Sequence, residues 1–154
     1  MVLAVEVQVA CDGDRLPTVQ HLTEWAQAAW QDPARDAEVV IRLTDELESR
    51  RLNREYRGKD RPTNVLSFPY DPLPGVVLDH VGDLVVCAPV VEGEARAQGK
   101  RAEAHWAHMV VHGMLHLQGY DHATDRQALQ MERLETDILT GLGFPAPYAD
   151  DETI

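Results

Sequence analysis

The sequence predicts one domain of the α+β (mixed α/β) class, a small four-stranded sheet packed by about five helices. Three observations lead there. The chain has 154 residues, and a domain typically takes roughly 100–200. Stretches whose apolar residues recur at every second position are interleaved with stretches whose apolar residues recur at helical spacing. No internal repeat, low-complexity tract or Pro/Gly/Ser-rich linker divides them. A domain of this size buries roughly 68–70% of its unfolded surface, so it needs neither disulfide nor metal merely to fold. The domain is expected to fill residues 1–154, with a loose tail from about 145, where two prolines and three acids gather.

Leu3, Val5, Val7 and Val9 alternate with Ala4, Glu6, Gln8 and Ala10, the pattern of a half-buried strand. Cys11 to Asp14 forms a turn. Pro17 and Thr18 open a helix with Leu22, Trp25, Ala26, Ala29 and Trp30 on one face, and Asp32-Pro33 ends it. Val39, Ile41 and Leu43 alternate again as a second strand. Asp45, followed by Glu48, reads as a capping box for a helix to about Tyr56. Gly58 stops that helix and Pro62 confirms the break. Val65 to Tyr70 is a third strand whose Pro69 does not suit a central ladder position. Asp71 to Gly75 is a loop. Asp83 to Cys87 is apolar on both alternations, so a fourth strand is covered on both faces. Pro89 to Gln98 is helical despite Gly93. Gly99 separates it from a long helix, about Arg101 to Leu117, which Gly119 ends. The last helix runs from Thr124 to Leu142, with Leu129, Leu134, Ile138 and Leu142 facing inward.

Fourteen Lys+Arg against 26 Asp+Glu give a net charge of −12. A general basic coat for nucleic acid is thereby excluded. Two cysteines, Cys11 and Cys87, cannot make a disulfide framework or a four-Cys zinc site, and reduced thiols fit a cytoplasmic setting. The longest apolar run, Leu84 to Val91, is interrupted by Pro89 and falls well short of the roughly 20 residues that span a bilayer. The start MVLAVEVQVAC has no cationic head and is broken by Glu6 and Gln8, so it does not read as a signal peptide.

The long helix carries the chemistry. On a wheel of about 100° per residue, His105, His108, His112 and His116 share one stripe roughly 80° wide, with Trp106, Val110, Met114 and Leu117 opposite. Grouped imidazoles repel when protonated and pack no better than leucine. His112 and His116 stand one turn apart and can aim at one ion. Gly119 lets the chain double back, and His122 returns to the same point. Three neutral imidazoles with one position left open is the catalytic zinc pattern. Using His108, His112 and His116 instead would spread the ligands over about 12 Å, so His108 is rejected as a ligand. His105 stands one turn further from the site, and His21 and His80 read as surface residues. The spacing His-x3-His-x5-His also occurs in metzincin proteases, where a glutamate follows the first histidine as general base. Gly113 stands there here, so that mechanism lacks its base.

A second feature is RRLNREYRGKDR, residues 50–61, with six basic residues against Glu55 and Asp60. Arg50 and Arg51 read as a solvated helix face with i, i+4 pairs. Arg57, Lys59 and Arg61 sit in a turn before the next strand, shaped to contact phosphate. A local basic patch on an acidic protein points to one anionic ligand bound in one place.

These two segments resemble a known family. HGMLHLQGYDH at 112–122 is similar to the HGxLHLxGYDH signature of the YbeY family. Leu52 to Pro69 is similar to its second signature, LNxxYRGKDxPTNVLSFP, with Arg61 at the variable position, and Gly82 to Val86 resembles its GD-plus-strand element. The resemblance spans roughly residues 3–143. It implies a zinc-dependent, single-strand-specific endoribonuclease of the cytoplasm, acting in 3′-end maturation of small-subunit ribosomal RNA and in ribosome quality control. It implies a mixed sheet, and one zinc per chain on His112, His116 and His122. Arg57 is the family's functional arginine, with Lys59 and Arg61 beside it toward substrate. The partners implied are single-stranded RNA, the ribosomal RNA precursor and the small ribosomal subunit or its proteins, with no membrane. Asp121 is expected either to orient a ligand histidine or to cap the last helix. Tyr56, Phe68, Tyr70 and Tyr120 are candidates to meet bases, with core packing the simpler reading of each. The rival functions are a zinc hydrolase on a non-nucleic substrate and a non-catalytic assembly factor with a metal staple.

Overall fold

The computed structural model describes residues 3–13, 15–70 and 79–148. In chain order the elements are β1 (Leu3–Ala10), α1 (Val19–Ala29), β2 (Ala37–Thr44), α2 (Glu46–Arg57), β3 (Val65–Pro69), β4 (His80–Cys87), α3 (Ala88–Ala97), α4 (Ala102–Leu117) and α5 (Asp125–Gly141). The strands form one mixed sheet in the order β1-β2-β4-β3. β1, β2 and β4 are parallel, and β3 runs antiparallel to β4. The architecture is the α+β domain expected.

Position in the sheet follows from side-chain pattern. β2 buries Ala37, Val39, Ile41 and Leu43, and β4 buries Leu84 to Cys87, so these two take the centre. β3 lies at the edge, where the missing N–H of Pro69 breaks no ladder. α1 and α4 cover one face, joining Trp25, Ile41, Leu43, Leu84, Val86, Trp106, Val110 and Met114 in one core. Leu52 and Tyr56 of α2 approach the other face beside Val40, Arg42 and Val85. Among the described residues no helix is long and apolar enough to cross a membrane.

Several boundaries differ from expectation. α1 ends at Ala29, before Asp32-Pro33, because Trp30 turns extended and its indole N–H donates to the Arg35 carbonyl at 3.3 Å. β4 starts at His80, ahead of Asp83, because pairing of Glu38 with His80 extends the ladder through residues with no strand pattern of their own. Asp45 does cap α2, accepting the Glu48 N–H at 2.9 Å. Glu48 makes no return bond; its carboxylate takes the fork of Arg42 instead, at 2.5 and 3.0 Å. Two parallel bonds from a charged guanidinium outweigh one bond from a backbone N–H. The full capping box is on α5, where Thr124 and Gln127 bond reciprocally.

α5 is rotated relative to its expected inner face. Leu129 is half exposed, while Met131, Glu135 and Leu139 are buried and Leu134, Ile138 and Leu142 flank them. The expected loose tail is docked as far as it is described. Phe144 meets Trp25 edge-on, Lys100 Nζ donates to the Pro147 carbonyl at 3.0 Å, and Tyr148 donates its hydroxyl to Glu135. The loop from Asp71 to Gly75, Asp14 of the first turn, and residues 149–154 lie outside the described residues.

Candidate functional site

α4 is buried almost all round and runs against the sheet at very short range. A Cβ added at Gly113 would lie 2.8 Å from a Leu84 methyl and 3.2 Å from Val65. That position, a glutamate in metzincins, is therefore spent on helix–sheet packing. Close approach sets His112 and His116 beside β3, whose Ser67 hydroxyl donates to the Gly113 carbonyl at 3.2 Å. The helix stops at Leu117, and Gly119 takes φ +96°, a left-handed conformation that glycine accepts at no Cβ cost. The chain then brings His122 back to the two helical histidines.

One nitrogen each from His112, His116 and His122 lies within 4.8 Å of the others. The Nε2 atoms of His112 and His116 are 3.1 Å apart. Nitrogens at the corners of a tetrahedron with bonds of about 2.0–2.1 Å would stand about 3.4 Å apart. The donor set and spacing thus suit a small divalent ion that favours nitrogen. Burial, then the neighbouring His112 and His122, push the His116 pKa below its ordinary value, which favours the neutral ring a metal needs.

Behind these rings stands a residue sequence reasoning missed. Glu135 of α5 is 1% exposed. Its Oε1 meets His112 Nδ1 at 2.7 Å, and its Oε2 meets His108 Nε2 at 2.6 Å and the Tyr148 hydroxyl at 2.5 Å. Burial alone would raise its pKa, but bonds from His108 and His112 prevail and hold it at about 2. An ionised carboxylate only accepts, so His112 carries its proton on Nδ1 and turns the Nε2 lone pair toward His116. A signal existed in the sequence: Glu135 falls four residues from both Met131 and Leu139, on the apolar stripe of its helix. His108 braces this carboxylate and stays outside the ligand group. His105 is buried and meets Glu94 at 3.0 Å.

The three histidines open onto a cleft of about 710 Å³, whose other lining includes Tyr56, Arg57, Asn64, Ser67, Phe68 and Asp121. Arg57 is the last residue of α2, not a turn residue, and Gly58 follows as a left-handed cap with φ 70°. Among the described residues no carboxylate pairs with Arg57. Lys59 and Arg61 are exposed but are not among the cleft-lining residues. Both arginines are solvated as expected, but only Arg51 has an i, i+4 partner, approaching Glu55 at 4.0 Å; Arg50 instead bonds Asp60, beyond the end of α2, at 2.8 and 3.0 Å. Asp121 does not cap α5. Its carboxylate accepts the His122 backbone N–H at 2.7 Å, no ring N–H, and Thr124 caps α5. Glu135 makes the ring contact instead. Tyr56 is 67% exposed and meets Phe68 edge-on, so core packing does not describe it. Tyr70 is also exposed, whereas Tyr120 packs against the core. Neither His21 nor His80 is a plain surface residue: His21 is half-buried and stacks on Trp25, and His80 is half-buried and bonds Asp83 at 3.0 Å.

The chain matches the family described as endoribonuclease YbeY over residues 11–143. It is also similar to the solution structure of TM1509 from Thermotoga maritima, with a TM-score of 0.57 and 26% sequence identity. The match covers 89% of this chain and 91% of that one. Both the His112–His122 segment and Arg57 fall inside the matched range.

Proposed function

Because this chain belongs to the YbeY endoribonuclease family, we propose that it is a zinc-dependent endoribonuclease cutting single-stranded RNA in this cleft. We propose its place as the cytoplasm, its substrate as precursor small-subunit ribosomal RNA near the 3′ end, and its setting as ribosome maturation and quality control. The observation that carries this reading is convergence. Arg57 of α2, with no carboxylate partner among the described residues, and three metal-competent imidazoles from α4 and its following turn, far apart in sequence, line one cleft.

His112, His116 and His122 would hold the ion. When bound, zinc supplies Lewis acidity toward a phosphoryl oxygen and makes water a better nucleophile near neutral pH. The remaining work falls to the chain. Arg57 donates in parallel to two nonbridging phosphate oxygens and strengthens its hold as charge builds on them. Lys59 and Arg61, on the turn just beyond, draw the flanking backbone toward the cleft mouth. The rim aromatics Tyr56 and Phe68 offer faces on which an unpaired base can stack, which a duplex does not present.

Metal-loaded protein incubated with matched single-stranded and duplex RNA tests the reading, with the product ends identified. Cleavage of the single strand alone is expected. It should stop with a chelator, return with zinc, and fail in His122→Ala together with metal retention. Equal cleavage of both RNAs would refute the strand preference. No cleavage of either, with the metal tightly held, would favour the assembly-factor reading.

A further inference from the structure

We infer that Glu135 and Tyr148 form a positioning pair for the candidate metal centre, in which the C-terminal segment locks the carboxylate that orients His112. This rests on reading His112, His116 and His122 as metal ligands. A carboxylate deep in a core is costly to desolvate unless its hydrogen bonds offset the loss of water. The site on α5 between Met131 and Leu139 would suit a leucine for packing alone. What Glu135 does there is visible in its three contacts. Oε1 faces Nδ1 of His112, and Nε2 of the same ring faces His116. A carboxylate on the far nitrogen of a ligand imidazole fixes its tautomer and ring plane and raises its basicity.

The other oxygen explains Tyr148. Oε2 is shared by the Tyr148 hydroxyl and His108 Nε2, which together stop the carboxylate from swinging off His112. Tyr148 is brought there by the segment after α5, itself tied down where Lys100 Nζ donates to the Pro147 carbonyl. His108 stands one turn before His112 on α4. The imidazole stripe thus continues past the ligands because its next member braces the carboxylate behind them.

The test uses the full chain freed of metal. Zinc affinity is measured by competition with a chelator, and cobalt(II) is added as an absorbing probe of ligand geometry. Each variant is read below its own metal-free melting temperature. Wild type should take one ion at the three histidines. Glu135→Gln keeps one accepting oxygen and should bind zinc about 10-fold more weakly, and Glu135→Leu up to about 100-fold. Tyr148→Phe should move affinity and the cobalt spectrum in the same direction by less. A purely structural role would lower the metal-free melting temperature and leave the folded variants' zinc affinity unchanged. Zinc affinity within about two-fold of wild type in folded Glu135→Gln and Tyr148→Phe, well under the expected 10-fold loss, overturns the inference. Should Glu135→Leu fail to fold, the other two decide. A wild type that takes no zinc at all would instead bring down the ligand reading beneath it.

Discussion

Arg57 and Glu135 are both charged residues near the histidines, yet their environments assign them different work. Glu135 is 1% exposed, with both carboxylate oxygens hydrogen-bonded inside the core, and has no route to substrate. Arg57 is exposed at the end of α2 and faces the cleft without a carboxylate partner among the described residues. Its structural contribution is small: a cation in the last helical turn offers typically 0.3–1 kcal/mol toward the helix dipole, roughly. A charge-assisted contact to a developing anion is worth about 2.7–4 kcal/mol, or 10²–10³ in rate. Arg57→Ala should therefore keep its metal and nearly its melting temperature while losing most RNA cleavage. Arg57→Lys should recover only part, since a point charge does not reproduce the fork. Steady-state cleavage of a single-stranded RNA, set beside a thermal melt, separates the outcomes. Wild-type cleavage by Arg57→Ala would make Arg57 an ordinary solvated residue. A lost fold or lost metal would make it structural.

At the scale of elements, the decisive feature is how closely α4 lies on the sheet. Gly113 permits it, and its price in helix propensity is about 1 kcal/mol relative to alanine. Gly113→Ala regains that amount but drives a methyl into Leu84 and Val65, both packed on the core. Overpacking typically costs roughly 1–3 kcal/mol, so a net loss of about 1 kcal/mol is expected in urea unfolding. A gain would show that the helix stands further off. Much of this was legible in advance. Strand and helix order followed from the two periodicities, and the His112, His116 and His122 group from spacing plus the Gly119 turn. What was hidden depended on partners distant in sequence. His80 joins β4 only because β2 offers it a ladder. Glu48 left its cap for Arg42 of the neighbouring strand. Leu129 faces outward because α5 is turned to bring Glu135 onto α4, which no single-helix pattern announces.

Across the whole molecule, the excess of acid and the buried histidines fix the response to pH. The net charge of −12 opposes RNA, so under the proposed function the local basic stretch from Arg50 to Arg61 would do the attracting, and delivery by a docked partner would raise local concentration. Acid also weakens the fold through particular groups. His105 is buried, and burial pushes its pKa below 6.5; the facing Glu94 pulls it up by less, while His108 and Lys100 add to the depression. The unfolded chain therefore takes up a proton that the native state refuses. For a base with a depressed folded pKa, this stabilisation is complete above about 6.5 and is lost as pH falls below it, by at most about 1.4 kcal/mol per pH unit. Glu135 acts in the same sense but lower, its contribution held above its ordinary 4.5 and lost toward about 2. The metal-free protein should accordingly lose stability between pH 7 and 5, before carboxylates matter. In His105→Gln the amide can still donate to Glu94 but cannot titrate. That variant should show a flatter limb across this interval, reduced rather than abolished because His116 is shifted in the same direction. Melting temperatures of both proteins at pH 7.5 and 5.5 make the comparison. An equal fall in the two would mean that His105 keeps its proton equilibrium on folding, and that its burial against Glu94 is fully compensated.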